Sequence, residues 1–235
     1  ALNTASIRYN YAEVNAQEAI LLESNVSPIV ILKQKKHCPL PANIAPELDT
    51  LGTMLAHSPA YYLLFYYLLG KPEGYEWLEK ANNKLLIATS ANLSGDAIIG
   101  DDAIAKETLS NIADYIISHN RKIIAPIDDS VTRIVDKHKI ILRHARGLTP
   151  LNYSFNYDLP QVLGVGASLK ATFSCSKDNK IHISQYIGDL KQIPAINYYQ
   201  NIYQHYCQLY AFKPELIVCD LHPDFYTSQF AAESG

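Results

Sequence analysis

No stretch of the chain holds the ~18 unbroken apolar residues that a membrane-crossing helix needs. The longest aromatic–aliphatic run, Tyr61–Leu69, is too short to span. Cysteine is sparse: four residues, at 38, 175, 207 and 219, form no Cys-x-x-Cys pair. That spacing argues against a zinc site and a disulfide framework, and reads as free thiols of a reducing cytosol. His-x-x-x-His does not occur. An excess of positive charge is missing too. Lys and Arg total 20 against 23 Asp and Glu, a net charge of −3, so no general attraction to nucleic acid or anionic lipid is expected. Seventeen tyrosines are many, but an RNA-binding face would interleave them with lysine and arginine. There is no signal peptide, internal repeat or low-complexity tract.

What is present suffices for a real core. The 235 residues, 48% hydrophobic, fit one large domain or two small ones. Asn15-Ala-Gln-Glu18 reads as a capping box that opens a short helix, Ala16–Leu22. Pro28–Lys33 predicts a strand, 34–47 with its three prolines a loop, and Leu51–Leu55 a short strand. Ser58-Pro59 starts a helix that Gly70 ends; apolar nearly all round, it is expected to be buried. The apolar run 85–89 predicts a buried strand, and 102–118, with Ile104, Leu109, Ile112, Ile116 and Ile117 at helical spacing, a helix. Ile123–Ile127 and Val131–Val135 read as strands, the latter returning through Asp136–Lys139 as a hairpin at Ile140–Arg143. Residues 147–160 change character, so a boundary falls there. Beyond it come strands at Val162–Val165, Ala171–Ser174 and Ile181–Tyr186, a helix from Ala195 to about Tyr210, and a buried strand at Leu216–Asp220.

Three polar clusters stand at ends of predicted strands. The first is Thr89-Ser90-Ala-Asn92-Leu-Ser94-Gly, whose short hydroxyls and amide suit phosphate oxygens. The same segment also fits a polar turn in which Ser and Asn bond only to nearby backbone. The second is Asp128-Asp-Ser130-Val-Thr-Arg133, and the third Leu142-Arg143-His-Ala-Arg146-Gly147. Hydroxyls and an amide from two loops, with arginine from a third, would suit a triphosphate. Taken singly, the carboxylates read as a solvated turn and the arginines as surface charges.

In this order the three clusters resemble the nucleotide-binding fold of the YrdC/Sua5 family. The flanking text is more specific. Ser-Pro-Ile-Val-Ile-Leu-Lys at 27–33, Ile-Ala-Pro-Glu-Leu-Asp-Thr-Leu-Gly-Thr-Met-Leu at 44–55, Ser-His-Asn-Arg at 118–121 and Asp-Asp-Ser-Val-Thr-Arg at 128–133 are similar to the YrdC-like domain of the HypF carbamoyltransferases of nickel–iron hydrogenase maturation. Gly-Ala-Ser-Leu-Lys-Ala-Thr-Phe at 166–173, Ile-Ser-Gln-Tyr-Ile-Gly-Asp-Leu at 183–190 and Cys-Asp-Leu-His-Pro-Asp-Phe at 219–225 resemble the start of that family's Kae1-like domain.

The resemblance implies an α/β chain: a YrdC/Sua5-like twisted mixed sheet with helices over 1–150, a linker over 151–160, and the first part of an actin/Hsp70-like, Kae1-like α/β domain over 161–235. It implies a cytoplasmic transferase that joins carbamate, derived from carbamoyl phosphate, to ATP with Mg²⁺ and passes the carbamoyl group to the C-terminal cysteine of HypE. No membrane or nucleic-acid partner is implied. On the nucleotide side stand Thr89, Ser90, Asn92, Ser94, Ser130, Arg133, Arg143 and Arg146. In the second domain Lys170 and Asp189 are candidates, each with a plain surface reading beside it. Which residues are catalytic is left unknown, none is assigned to a metal, and His222 beside Pro223 reads as a turn residue.

The resemblance also places a triphosphate-gripping basic loop just before residue 1. Acylphosphatase and zinc-finger modules are expected further upstream, and a metal-binding histidine pair after residue 235. Where the family has Pro-Tyr-Thr-Pro-Leu-His-His, residues 56–62 are Ala-His-Ser-Pro-Ala-Tyr-Tyr, which leaves His57 without a role. The isolated chain is expected to bind nucleotide weakly and not to complete the transfer. Two other functions remain open: a threonylcarbamoyl-adenylate synthase, which would not explain residues 166–173, and a double-stranded RNA-binding module, which the charge balance weakens.

Overall fold

The computed structural model describes residues 1–93 and 96–234, and its contacts divide the chain into two compact units. The first takes Ala1–Ala88 and Asp129–Gly147; the second takes the described residues of 89–128 and 148–234. Among the described residues no helix is long and apolar enough to cross a membrane.

The first unit is a four-stranded mixed sheet with helices. β1 (Ile29–Lys33) pairs antiparallel with β2 (Thr50–Thr53) and parallel with β3 (Val131–Val135). β3 turns back into β4 (His138–Arg143), giving the order β2-β1-β3-β4. The β3–β4 turn works because Asp136 and Lys137 both accept positive φ, 47° and 69°, the geometry that matches strand twist in a two-residue hairpin. Alternation along β1 points Val30 and Leu32, both 0% exposed, into a cluster with Ile7, Ala12 and Leu22. Ile7 comes from α1 (Thr4–Asn10) and Leu22 from α2 (Ala16–Leu22). The capping box of α2 forms as the spacing predicts: Asn15 Oδ1 accepts from Glu18 N–H at 2.9 Å and Glu18 Oε2 from Asn15 N–H at 2.8 Å. α3 (Pro59–Leu68) follows β2.

The second unit is a five-stranded mixed sheet, order β5-β8-β7-β6-β9, with α4 (Asp102–Leu109), α5 (Ile193–Leu209) and α6 (Tyr226–Ser234). Its strands are β5 (Leu151–Ser154), β6 (Val162–Gly164), β7 (Ser174–Lys177), β8 (Lys180–Ile183) and β9 (Leu216–Val218). The sheet buries one face under α5. Phe173 is the hub: the rings of Tyr199, Tyr203 and Tyr206 meet it edge-on at centroid distances of 5.6, 5.8 and 5.0 Å. Burying a ring of that size contributes about 1.5–3 kcal/mol. Buried tyrosines also need a partner for each hydroxyl. Tyr199 donates to Val165 O at 2.9 Å, and Tyr198 donates to Pro126 O beside Gln185.

Several elements differ from the sequence reading, each for a physical reason. α3 is not buried: only Phe65 is, while Leu63 and Tyr67 are 58% and 63% exposed. It packs through one stripe, Phe65 against Leu2 and Ala56, and one stripe is enough to hold a helix. Residues 85–89 are irregular, since among the described residues no strand pairs with them. Ile123–Ile127 is irregular too; Pro126, lacking an N–H, interrupts any ladder there. The helix after Asp101 ends at Leu109, and Ile112 and Ile117 are exposed. β7 begins where a strand was expected to end, because the turn at Asp178, φ 54°, pairs Lys177 with Lys180 and so sets the register. β9 is an edge, bonded only to β6, so Leu216 and Val218 are more than half exposed. The stretch 151–160 carries β5, paired with β8.

Two measurements test this packing. Gly166 sits at φ 73° with the position of an added Cβ 1.9 Å from Thr172 O. Gly166→Ala should therefore destabilise the chain by about 3 kcal/mol; an unchanged denaturant midpoint would contradict it. Burial pushes the Tyr198 phenol up to about 12 and raises Tyr199, Tyr203 and Tyr206 as well. The unfolded chain sheds these protons near the ordinary value of ~10, so the folded state holds more of them above that pH. Stability should be unaffected below ~10 and fall as pH rises from there through the folded value. Ultraviolet titration should show these rings ionising only as the chain unfolds; ionisation at the ordinary value in a folded chain would contradict the packing.

Candidate functional site

The second and third polar clusters meet in the first unit, where β3 begins and the chain leaves β4. Residues 129 and 146 form a parallel bridge just beyond the two strands. Ser130 is fully buried, and its hydroxyl is spent on backbone: it donates to Arg146 O at 2.9 Å and accepts from Ala145 N–H at 3.0 Å. Arg146 is equally committed. Its Nε donates to Asp129 Oδ1 at 2.7 Å, Nη1 to Val26 O at 3.2 Å, and Nη2 to Ser27 O at 2.8 Å. Gly147 closes the same corner; a Cβ there would lie 2.8 Å from Val26 O. Two residues expected to face a nucleotide thus hold the lead-in to β1 against the sheet.

Arg133 and Arg143 lie on the hairpin itself. The ladder sets Val131 opposite Arg143 and Arg133 opposite Ile140. Arg133 and Arg143 therefore lie two rungs apart, with the register shift at Val131/Thr132 between them. Arg133 is exposed and Arg143 half-buried.

The first cluster belongs to the second unit, in an irregular loop rather than at a strand end. Thr89 and Ser90 are exposed. Asn92 ties the loop together: its Nδ2 donates to Leu93 O at 2.9 Å and Asp96 O at 2.8 Å. Both acceptors are carbonyls, so the amide orientation follows from the network. With both donors used, Asn92 has Oδ1 left, buried and without a partner. The side chain therefore offers an acceptor, suited to an N–H or O–H rather than to a bare phosphate oxygen. Ser94 lies outside the described residues.

Lys170 and Asp189 are adjacent in the second unit. Asp189 Oδ1 accepts from Lys170 N–H at 2.8 Å, and Ala171 bridges Gly188. The contact uses the backbone of Lys170, which has φ 49°, and not its ammonium. His222 stacks on Phe225 at 4.1 Å, and its Nδ1 accepts from Asp224 N–H at 3.3 Å, as a turn residue does.

Among the described residues four further polar atoms fall outside every cluster and are buried without a hydrogen-bond partner: Thr4 Oγ1, His57 Nδ1 and Asn82 Nδ2 in the first unit, and Thr227 Oγ1 in the second. Burial lowers the His57 pKa and the charge of Arg146 lowers it further, against the opposing pull of the Leu55 backbone and of Asp129. No sequence pattern marks Thr4. The signal for His57 was the departure of residues 56–62 from the family's pattern.

Comparison with known proteins agrees across both units. Residues 3–145 match the Sua5/YciO/YrdC family, described as "Telomere recombination", and residues 158–235 match the HypF Kae1-like domain. Carbamoyltransferase HypF of Synechocystis sp. is 38% identical over 218 residues, 92% of this chain and 27% of that protein. Carbamoyltransferase HypF2 of Cupriavidus necator is 34% identical over 227 residues, 95% of this chain and 28% of that protein. Full-length HypF, solved in a phosphate- and nucleotide-bound form, superposes with a TM-score of 0.83 at 33% identity, covering 98% of this chain and 34% of the other. The structure of T. kodakarensis HypF gives 0.81 at 33%, over 96% and 28%. This chain thus spans a little over a quarter of the curated relatives' length. It belongs to the Sua5/YciO/YrdC family and, by the Kae1-like domain that follows, is a homologue of the HypF carbamoyltransferases.

Proposed function

We propose that the chain is the nucleotide-handling part of a HypF-type carbamoyltransferase. The observation that carries this reading is the likeness over 98% of the chain to a HypF solved with phosphate and nucleotide bound. The YrdC-like and Kae1-like matches also occur in one chain, in the order that HypF relatives have.

In the proposed reaction a carbamate oxygen attacks the α-phosphorus of ATP, the bond to the bridging oxygen breaks, and pyrophosphate leaves. Carbamate is already an anion, so no base is required. Positioning and charge neutralisation then dominate, as in other in-line displacements. Arg133 and Arg143, two rungs apart on the hairpin, are the cations of the first unit assigned to the phosphates. Arg146 and Ser130 act behind them, holding the β3–β4 corner. Taken by itself, the second unit offers the exposed hydroxyls of Thr89 and Ser90 and the carbonyl acceptor of Asn92 as its own candidates for nucleotide contact.

Among the described residues no three His, Cys, Asp or Glu side chains gather as ligands of one ion. Mg²⁺ would accordingly enter on the triphosphate oxygens and screen the leaving pyrophosphate. Lys170 and Asp189 are assigned to a second nucleotide contact in the Kae1-like part, and the acceptor is the C-terminal cysteine of HypE. The four free cysteines suit a reducing compartment, the cytoplasm.

A chimera tests the assignment. This chain would replace the matching span of Synechocystis HypF, and ATP–pyrophosphate exchange would be measured. Exchange should depend on carbamate or carbamoyl phosphate. Exchange supported only by threonine with bicarbonate would overturn the proposal in favour of threonylcarbamoyl-adenylate synthesis, and no exchange at all would remove the nucleotide role.

A further inference from the structure

The stretch from 89 to 128 lies in the part of the chain that matches the Sua5/YciO/YrdC model, yet it packs within the second unit, whose α5 and strands β6 to β9 match the Kae1-like domain. Ala97, Ile98 and Ala125 rest against the core around Phe173. One carbonyl fastens the stretch. Pro126 O accepts from the Tyr198 hydroxyl on α5 and, at 3.2 Å, from Gln185 Nε2 just after β8. Gln185 Nε2 also donates to Tyr198 Oη at 3.1 Å. Both side chains are buried, where an unmade bond is costly.

The fastening reaches the first polar cluster in two steps. The Pro126 ring lies against Gly100, where any Cβ would collide with it. Next along the chain, Ile99 N–H donates to Ala91 O at 2.9 Å, and Ala91 stands between Ser90 and Asn92. Asn92 in turn closes its own loop through Leu93 O and Asp96 O. The exposed hydroxyls of Thr89 and Ser90 thereby take their position from α5 and the end of β8. We propose that Tyr198 and Gln185 are positioning residues for the nucleotide contacts assigned to Thr89, Ser90 and Asn92. This rests on the nucleotide reading above and adds to it a dependence of the YrdC-like loop on two side chains of the Kae1-like part. They act through Pro126, Gly100 and the Ile99–Ala91 bond, and a small displacement of a contact group is enough to weaken binding.

Two readouts test the relay and its purpose. In the 235-residue chain, hydrogen exchange followed by NMR should show Ile99 N–H exchanging about fivefold to tenfold faster in Tyr198→Phe and in Gln185→Leu. In the Synechocystis chimera the same two variants should raise the ATP KM of pyrophosphate exchange about threefold to tenfold and leave kcat within about twofold. Phe173→Leu loosens the same core but leaves both donors to Pro126 in place. It should leave that KM unchanged, whereas a merely structural role of Tyr198 would have it rise as well. Circular dichroism confirms that each variant folds. Unaltered Ile99 exchange in both variants, an unaltered KM in both, or an equal rise in Phe173→Leu would overturn the positioning role and leave the nucleotide role intact. Absence of exchange in the unsubstituted chimera would overturn both.

Discussion

The guanidinium of Arg146 holds together three parts of the first unit that are far apart in sequence. It reaches Asp129 at the entrance to β3 and the carbonyls of Val26 and Ser27 at the entrance to β1. β1 and β3 are the parallel pair at the centre of the sheet, and parallel strands have no tight turn to fix their stagger. The Arg146 fork does so from outside the ladder. Its geometry needs arginine: a lysine has three donors, but on a single nitrogen, and lacks the planar fork that spreads them over a carboxylate and two carbonyls at once. With both side chains about a quarter to a third exposed, the ion pair itself contributes on the order of 1 kcal/mol. Its larger consequence is positional, because Ser130 and Ala145 are held in the same corner.

That constraint separates two kinds of polar residue that look alike in a sequence. Ser130 and Arg146 stand in motifs that suit a phosphate site, yet their polar atoms are spent inside the fold. Arg133 and Arg143 lie two rungs apart on the hairpin, Arg133 exposed and Arg143 half-buried. Asn92 divides the two roles within one side chain, with its donors closing a loop and its acceptor left over.

Much of the fold was legible where one local rule decides. The Asn15–Glu18 box, the Pro28–Lys33 strand and the turn read at Asp136–Lys139, which the structure narrows to Asp136-Lys137, each carry their geometry in a few adjacent residues. What was not legible depended on partners. An apolar run such as 85–89 becomes a strand only if another strand lies beside it, and Leu216–Val218 is exposed because it lies at an edge. The exposure of α3 has the same origin, since composition sets how apolar a helix is but not how many neighbours it meets. In the site, the motifs named the loops, while the hydrogen bonds that commit a side chain such as Arg146 join residues up to 120 positions apart, and Thr4 became visible only through an atom left unpaired.

Arginine side-chain exchange measured by nitrogen-15 NMR tests the central claim most directly. The account predicts that the Nε–H of Arg146, bonded to Asp129, exchanges with solvent far more slowly than that of the exposed Arg8. Equal exchange rates for the two would show that the clasp does not form in solution.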